Sequence, residues 1–426
     1  MSDVNRLLFD IESGKFDNIL NKLYIDKEVL PIQKQRYKKA LKEFHTIFPI
    51  KEVSIYSAPG RVEVGGNHTD HQHGCVLAAA VNLDTVAVVS KRDDDIIHVV
   101  SEGFDIKPIS IPPFHVVPQE VGTTEALIRG ICAKIHELGF EVGGLNIYMT
   151  SNVLEGAGLS SSASIEVLLG TIISGEYNEH CISAIEIAKI GQYSENNYFM
   201  KPCGLMDQMA CSVGGFISID FKDPALPIVE KIDFDFDTFN HTLCIVDTKG
   251  SHADLTCEYA AITQEMKKIA QQFGKTYLCE VDESAFYMKI EELRMSCGDR
   301  SVLRAFHFFS ENERVKEEVK ALKKADFEKF KKLIKESGDS SYKYLQNVYT
   351  PKNINEQNLS IGLAMSDYIL GRNGVNRVHG GGFAGTIQAF VPNNLLATYQ
   401  EKIEAIFGQG SCYSLKIRPC GGVKVV

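Results

Sequence analysis

The sequence predicts an α+β protein of two domains, and three observations support this. The chain has 426 residues, which is enough for about two or three domains with cores of their own. Its composition, 44% hydrophobic and 23% charged residues, is that of an ordinary globular protein. Runs of β-branched and apolar residues are interspersed with apolar residues at helical spacing, which indicates a mixed sheet together with helices. We place the boundary between the domains near residue 222.

In the first half of the chain, each element follows from its local pattern. Residues 1–30 are polar with short apolar clusters, and we interpret them as an N-terminal extension. From Pro31 a helical pattern runs through Tyr37, Leu41 and Phe44. The β-branched and apolar runs predict strands over residues 53–58, 76–89, 96–100 and 145–153. Apolar residues at helical spacing predict helices over residues 127–138, 164–173 and 182–197. The predicted N-terminal domain is residues 31–222.

The predicted C-terminal domain, residues 223–426, is of the same mixed kind. Strands are expected over residues 216–221, just before the boundary, and then over 242–246 and 386–391. Long helical patterns cover residues 255–273 and 311–337. Within the second of these, the Lys/Glu-rich run of residues 315–335 is interpreted as a solvated helix face.

Composition also excludes several classes of function. The formal charge of −10 argues against a nucleic-acid partner. The eleven cysteines are scattered and include no C-x-x-C pair, so neither a disulfide framework nor a thiolate zinc site is expected, and a reducing compartment fits best. Residues 1–10 lack the apolar core of a signal peptide, and no stretch of about 18 apolar residues occurs. We therefore expect a cytoplasmic protein that does not span a membrane.

The most informative turn is residues 156–164, with the sequence GAGLSSSAS, between a predicted strand and a predicted helix. Glycines let a backbone approach a ligand closely, and the free N–H groups of a helix start can bind phosphate oxygens. The third glycine of a dinucleotide-binding turn is replaced by Ser161, and a P-loop is absent. A tight structural turn closed by a serine N-cap remains the alternative.

A second constellation, residues 59–71, has the sequence PGRVEVGGNHTDH. Its density of hydrogen-bond donors and acceptors suits a sugar or polyol. Two alternatives stay open, a purely structural turn and a metal site formed by His68, His71 and His73, although such metal sites usually include a further carboxylate.

A third constellation is the carboxylate Asp207 within residues 202–208, PCGLMDQ. An aspartate here could simply cap the following helix. Beside a cation such as Arg61 it would stay ionised and could accept a proton from a substrate hydroxyl. The glycine loop of residues 379–385 is similar to the oxyanion loop of esterases, but no G-x-S-x-G nucleophile motif is present, which argues against a hydrolase.

In this order and at these separations, the segments resemble the galactokinase branch of the GHMP kinases, the small-molecule kinases that include galactokinase, homoserine kinase, mevalonate kinase and phosphomevalonate kinase. Residues 60–71 are similar to the signature G-R-V-N-L-I-G-E-H-T-D-Y, and residues 159–164 to the phosphate loop G-L-S-S-S-A-S. Residues 204–208 are similar to G-I-M-D-Q, and residues 380–385 to G-G-G-F-G-G. The resemblance covers about residues 32–420.

The resemblance implies a fold and a reaction. The fold would combine an N-terminal domain like ribosomal protein S5, with a mixed sheet, and a ferredoxin-like C-terminal domain, with the active site in the cleft between them. The reaction would be transfer of the γ-phosphoryl group of ATP to the anomeric hydroxyl of galactose or a closely related sugar, with Mg²⁺ as cofactor. Asp207 would accept the proton of the attacking hydroxyl, while Arg61 would keep Asp207 ionised and neutralise charge on the phosphoryl group.

The same resemblance assigns the binding residues and a monomeric state. The sugar would be bound by Asn67, His68, Asp70, Tyr259 and Gly204. The nucleotide phosphates would lie over Gly156, Ala157, Gly158, Leu159, Ser160, Ser161 and Ser162. Magnesium would be held by Glu195 and by Ser162, with Ser161 as the other candidate serine.

The chain also departs from the family's pattern. Asn67 stands where galactokinases have a glutamate that binds a sugar hydroxyl, His71 replaces the tyrosine of the signature, and Ser251 falls near a position that is often basic. Leu154 and Ala384 replace a proline and a glycine. The alternatives are therefore a kinase for another sugar, such as an N-acetylhexosamine or a pentose, and a non-catalytic sensor of sugar and ATP.

Overall fold

The computed structural model of the protein describes residues 2–103, 106–153, 158–251 and 255–426, and it confirms the α+β class. The strands are β1 (Ser2–Asp3), β2 (Glu52–Gly65), β3 (Cys75–Lys91), β4 (Ile96–Ser101), β5 (Ile109–Ser110), β6 (Leu145–Ser151), β7 (Phe216–Asp220), β8 (Ile228–Ile232), β9 (His241–Asp247), β10 (Val375–His379), β11 (Thr386–Pro392), β12 (Cys412–Leu415) and β13 (Val423–Lys424). The α-helices are α1 (Val4–Glu12), α2 (Asp17–Tyr24), α3 (Leu30–Ile47), α4 (Thr124–Glu137), α5 (Ser161–Tyr177), α6 (Ala184–Asn197), α7 (Met206–Val213), α8 (Thr256–Gln271), α9 (Glu283–Met288), α10 (Ile290–Cys297), α11 (Asp299–Lys323), α12 (Phe327–Ser340), α13 (Asn358–Leu370) and α14 (Leu396–Phe407).

The strands form two sheets. In the described part of the chain the larger sheet has nine strands, with the path β1-β2-β3-β6-β4-β5 and with β7, β8 and β13 paired beside it. β4 and β6 are parallel whereas β2, β3 and β6 pair antiparallel, so this sheet is mixed, as predicted. The smaller sheet has the order β10-β11-β9-β12 and is antiparallel throughout.

The long apolar run of β3 is explained by burial on both faces of the larger sheet. Ala87 and Val89 pack with α4, α5 and α6 on one face. Val86 and Val88 pack with α1, α2 and α3 on the other. Because successive residues of a strand point to opposite faces, a strand covered on both sides is mainly apolar rather than alternating. The segment interpreted as an extension, described here from residue 2 to residue 30, therefore provides part of the cover of this sheet.

The two sheets share one apolar cluster. Val62 and Leu77 of the larger sheet pack in it with Leu243 and Phe390 of the smaller one. In addition, β8 and β13, which both follow residue 222, pair with strands of the larger sheet. The domain limits proposed from the sequence stay a prediction.

One predicted helix is two helices in the structure. The pattern over residues 311–337 is interrupted between α11 and α12, where Ala325 has a φ of +53°. The side chain of Asp326 then accepts a hydrogen bond from the N–H of Lys329 at 3.0 Å and caps the new helix. The apolar spacing continues across this break, which is why the sequence pattern does not show it.

Strand β2 continues seven residues beyond its predicted end at 58, up to Gly65. Its pairing with β3 is irregular between Pro59 and Arg61 and again between Glu63 and Gly65. Such irregularities redirect side chains, and here Arg61 and Glu63 line a cleft. Among the helices of the described ranges, none has the length and apolar character needed to cross a membrane.

Candidate active site

Residues selected from the second and third sequence constellations line two adjoining cavities. An inner cavity of about 220 Å³ is lined by Arg61, His68, Asp70, Gly204 and Asp207, among others. It adjoins an outer cavity of about 820 Å³, which shares His68, Asp70 and Gly204 and adds Tyr259. Segments that lie far apart in the sequence therefore meet at one cleft.

The centre of the cleft is the ion pair of Arg61 and Asp207. Arg61 Nε donates to Asp207 Oδ1 and Nη2 donates to Oδ2, both at 2.7 Å, which is the bidentate geometry of a strong charge-assisted pair. Ser160 Oγ donates to Asp207 Oδ2 at 2.5 Å. Arg61 also donates through Nη1 to the carbonyl of Gly158. Asp207 lies in the first turn of α7 without capping it, so the interpretation of this residue as a helix cap is wrong.

Asp207 is held as an anion. Burial opposes its ionisation, but the charge and hydrogen bonds of Arg61 and the Ser160 hydroxyl outweigh burial and hold the pKa of this carboxyl below its usual value. Oδ2 already accepts two donors, whereas Oδ1 accepts one. A carboxylate oxygen has two lone pairs, so Oδ1 can accept a further hydrogen bond from a hydroxyl in the cleft.

His68 is presented to the cleft in its neutral form. Burial and the nearby His71 lower the pKa of His68 to about 4. Its Nε2 lies 3.0 Å from the carbonyl oxygen of Gly381, so the neutral ring carries its proton there and Nδ1 is left as an acceptor. The backbone of His68 has a φ of +60°, which non-glycine residues rarely adopt. Residue 68 is thus held in a strained conformation at the cleft.

Gly204 makes room for Asp70. A Cβ atom at position 204 would lie 2.3 Å from Asp70 Oδ2, closer than non-bonded atoms can approach. The other oxygen, Oδ1, accepts the N–H of His71 at 2.8 Å. The carboxylate is therefore fixed between a backbone donor and a glycine, with an edge on both cavities.

Tyr259 is hydrogen-bonded to the glycine loop of residues 379–385. Its hydroxyl donates to the carbonyl of Gly382 at 2.9 Å, and its ring packs edge-on against Phe383 with the centroids 5.5 Å apart. A Cβ at Gly381 would lie 2.8 Å from the ring. The glycines of this loop therefore accommodate the tyrosine at the wall of the outer cavity.

The expectation that Asn67 contacts the sugar is corrected by the structure. Its side chain is fully buried, and its amide nitrogen donates to Glu63 Oε1 at 3.0 Å and to the carbonyl of Gly380 at 2.7 Å. Its amide oxygen accepts hydrogen bonds from Asn347 at 2.8 Å and Ser341 at 3.2 Å. Every donor and acceptor of this amide is used inside the protein, so Asn67 belongs to the scaffold behind the cleft.

Two other residues that depart from the family pattern, His71 and Ser251, line different cavities. His71 lines both cavities of the cleft. Ser251 instead lines a separate cavity of about 380 Å³ with Phe383 and Ala384.

The alternative of a histidine metal site is not supported. Among the residues that the structure describes, no cluster of three or more His, Cys, Asp or Glu side chains could hold a metal ion.

The predicted phosphate loop is described only from Gly158 onward, and Leu154, Gly156 and Ala157 lie outside the described residues. Gly158 has a φ of +68°, and the side chain of Leu159 is fully buried in the shared apolar cluster. The hydroxyl of Ser160, a residue expected at the nucleotide phosphates, is bonded to Asp207. Helix α5 begins at Ser161 without a capping side chain, so the alternative of a serine-capped structural turn is wrong at Ser160. The N–H groups at this helix start remain available to an anion.

Glu195 lies in a buried acidic group beside the start of α7. Its Oε1 accepts Lys201 Nζ at 2.9 Å and its Oε2 accepts Gln208 Nε2 at 3.0 Å. The same Gln208 nitrogen donates to Glu166 Oε2 at 3.0 Å. Burial first, and the charge of Glu195 second, raise the pKa of Glu166 well above its usual value. Glu166 is one helical turn beyond Ser162 on α5, so this group faces the same helix end.

A further cavity of about 330 Å³ was not predicted. Its wall combines apolar and polar side chains from several elements: Ile106, Met149, Val153 and Ile165 are apolar, and Thr85, Ser101, Glu102, Thr124, Ser151 and Ser161 are polar. The apolar residues carry no motif, and each looks like an ordinary core residue in the sequence. Only their position beside the start of α5 indicates a binding surface.

Comparisons with known proteins agree with this geometry. Residues 42–91 match the galactokinase galactose-binding signature, and residues 126–215 match the N-terminal domain of GHMP kinases. The galactokinase of Glaesserella parasuis serovar 5 is 33% identical over 377 residues, 85% of this chain and 90% of its own. The Lactococcus lactis galactokinase structure, complexed with galactose, aligns with a TM-score of 0.76 at 22% identity, over 90% of this chain and 98% of that one. The Methanococcus jannaschii mevalonate kinase aligns with a TM-score of 0.61 at 17% identity, over 86% and 98%.

Proposed function

The chain belongs to the galactokinases of the GHMP kinase family, and from this premise we propose that it transfers the γ-phosphoryl group of ATP to the anomeric hydroxyl of galactose or a closely related sugar. The observation that carries the proposal is the carboxylate of Asp207, held as an anion in the inner cavity by Arg61 and Ser160. The side chains expected to bind the sugar line the same cavity. The start of α5, which is suited to phosphate, lies beside Asp207 at Ser160.

On the acceptor side, Asp207 Oδ1 accepts the hydrogen bond of the attacking hydroxyl and takes its proton as the phosphoryl group transfers. A carboxylate with a lowered pKa is a weak base, but phosphoryl transfer passes through a loose transition state in which positioning matters more than early proton removal. Arg61 lies between Asp207 and the phosphate loop, where its charge also offsets the charge of the transferring group. His68 Nδ1 and the Asp70 carboxylate bind sugar hydroxyls.

On the donor side, the N–H groups at the start of α5 bind the ATP phosphates, together with the backbone around Gly158. The cavity beside Ser161 offers an adenine base apolar contacts with Ile106, Met149 and Val153. Leu159 anchors the loop through its buried side chain.

The residues near α5 fit a magnesium ion. Mg²⁺ takes oxygen ligands and is commonly held by one or two carboxylates with substrate phosphates. Glu195 and Ser162 supply such ligands, and close to them Glu166 Oε1 and Gln208 Oε1 are buried without a partner among the described atoms. The ion would neutralise phosphate charge. Lys201, which now pairs with Glu195, contributes a positive charge to the same region.

Two further properties belong to the proposal. Each of the eleven cysteines is a free thiol, in keeping with a reducing compartment such as the cytoplasm. We also expect a monomer, as the family resemblance implies.

The decisive experiment is an ATP-dependent phosphorylation assay over a panel of sugars, with the phosphorylated carbon identified by NMR. The expected product is a sugar 1-phosphate. Asp207→Asn and Arg61→Ala should each lower kcat about a hundredfold or more, whereas the surface variants Asp93→Asn and Arg372→Ala should behave as the parent protein. ADP release that no sugar stimulates would identify a sensor, and losses of only a few-fold in both site variants would refute the roles of Arg61 and Asp207.

A further inference from the structure

We propose that Glu63 is the carboxylate that binds a hydroxyl of the acceptor sugar, in place of the family's glutamate at position 67. This inference rests on the proposed function and deepens it, because it names the residue on which acceptor recognition depends. Glu63 lines the inner cavity beside Arg61, His68 and Asp70.

An exchange of two side chains in the sequence supports the proposal. Aligned with the signature G-R-V-N-L-I-G-E-H-T-D-Y, position 63 carries the asparagine and position 67 the glutamate. In this chain the two are reversed, with Glu63 and Asn67. One amide and one carboxylate are thus retained, at exchanged positions. The structure shows that these two side chains are partners, with Asn67 Nδ2 3.0 Å from Glu63 Oε1.

The contacts of Glu63 fix one oxygen and leave the other to the cavity. Oε1 accepts hydrogen bonds from Asn67 Nδ2 and from Arg377 Nη2, the latter at 2.5 Å. Oε2 accepts no hydrogen bond from the described residues. It is also not fully buried, so it is open to the cavity. Arg377 is fully buried and Asn67 is satisfied on all sides, so both act as supports that aim the carboxylate.

The electrostatic surroundings agree with a role in binding a neutral polar ligand. Burial raises the pKa of Glu63, Arg377 opposes this, and the nearby charge of Asp70 raises it again. Two carboxylates, Glu63 and Asp70, line the same small cavity. The side chain of Glu63 is only 6% exposed. A hydrogen bond donated by a sugar hydroxyl would satisfy its Oε2.

The test is a cycle of variants combined with a panel of deoxygalactoses. Glu63→Gln removes the charge and keeps the shape, so kcat/KM for galactose should fall about tenfold or more, mainly through KM. The affinity for ATP, measured by calorimetry, should stay unchanged. The double variant Glu63→Asn with Asn67→Glu restores the order of the signature and should recover most of the lost kcat/KM, whereas Asn67→Glu alone should not.

The deoxy sugars separate binding from a merely structural role. Removing the hydroxyl that Glu63 binds should lower kcat/KM strongly in the parent protein. In Glu63→Gln the same deoxy sugar should lower kcat/KM little further, because the two changes delete the same interaction. Penalties that add for every deoxy sugar would refute the proposal. So would a crystal structure of the galactose complex with no sugar oxygen within about 3.5 Å of Glu63, a result that needs no variant to fold. If the parent protein phosphorylated no sugar at all, the proposed function would fail first, and that outcome is recognised before any variant is made.

Discussion

Arg61 and Asp207 are 146 residues apart in the sequence, yet they form two parallel hydrogen bonds of 2.7 Å each at the centre of the cleft. Arg61 belongs to β2 of the larger sheet, and Asp207 to the first turn of α7. Both oxygens of the carboxylate are engaged by one planar guanidinium, which fixes the direction in which Asp207 can accept a further hydrogen bond.

The bidentate geometry predicts that lysine cannot replace Arg61. An ammonium group is a point charge with rotatable donors and cannot bond both oxygens in parallel. We expect Arg61→Lys to lower kcat/KM about 10- to 100-fold, with an unchanged thermal unfolding midpoint. Steady-state kinetics measure the loss, and Arg372→Lys at the surface is the matched control. Full activity in Arg61→Lys would mean that only the charge matters.

Ser160 predicts a specific change in pH dependence. Its hydroxyl is one of the donors that hold the pKa of Asp207 low. Without it the pKa of Asp207 rises towards its usual value, and because the deprotonated form is the active one, activity is lost at a higher pH on acidification. The acid limb of the kcat/KM profile should therefore move to higher pH in Ser160→Ala. An unmoved limb with a uniformly lower rate would assign Ser160 to phosphate binding instead.

Gly204 predicts a selective loss of sugar binding. In Gly204→Ala the new Cβ would collide with Asp70 Oδ2, at 2.3 Å in the present geometry, and the carboxylate must move. KM for the sugar should rise about tenfold or more, while KM for ATP stays constant and serves as the internal control. Equal changes in both values would point to a general disturbance of the cleft.

Glu318 predicts how stability depends on pH. This side chain on α11 is fully buried, and neither of its oxygens has a partner among the described residues. Burial, and then the charge of Glu311, raise the pKa of Glu318 well above its usual value, although Arg377 and Arg314 oppose the shift. The folded state therefore binds the proton more tightly than the unfolded state, so this group's stabilising effect is full below the usual carboxyl pKa and declines as pH rises.

Glu318→Gln removes that titration. The free energy of unfolding in urea, compared between the variant and the parent protein, should shift in favour of the variant between pH 5 and pH 8, roughly the range in which most proteins are most stable. Glu313→Gln, on the exposed side of the same helix, should show no such trend. A difference that is the same at both pH values would show that Glu318 does not change its protonation in this range.

Much of the architecture could be predicted because it depends on local patterns. The predominantly apolar run of β3 and the helical spacing of α4, α5 and α6 identify these elements without any knowledge of their partners. The break between α11 and α12 could not be found in this way, since a single capping aspartate at residue 326 interrupts an apolar spacing that continues on both sides. The role of the N-terminal segment could not be predicted locally either, because its short apolar clusters are too weak a pattern by themselves. Their role is seen only where residues from Val4 onward pack on the larger sheet.

The sequence alone determined the three constellations, their order and the pairing expected between Arg61 and Asp207, because glycines, serines and carboxylates at fixed spacing carry their chemistry with them. Only the tertiary structure decided which side chains face the cleft. Asn67 and Glu63 lie four residues apart, but Asn67 is turned into the scaffold and Glu63 towards the cavity by Arg377, 314 residues from Glu63. The direction of a side chain depends on hydrogen-bond partners that are remote in sequence, and no local pattern contains them.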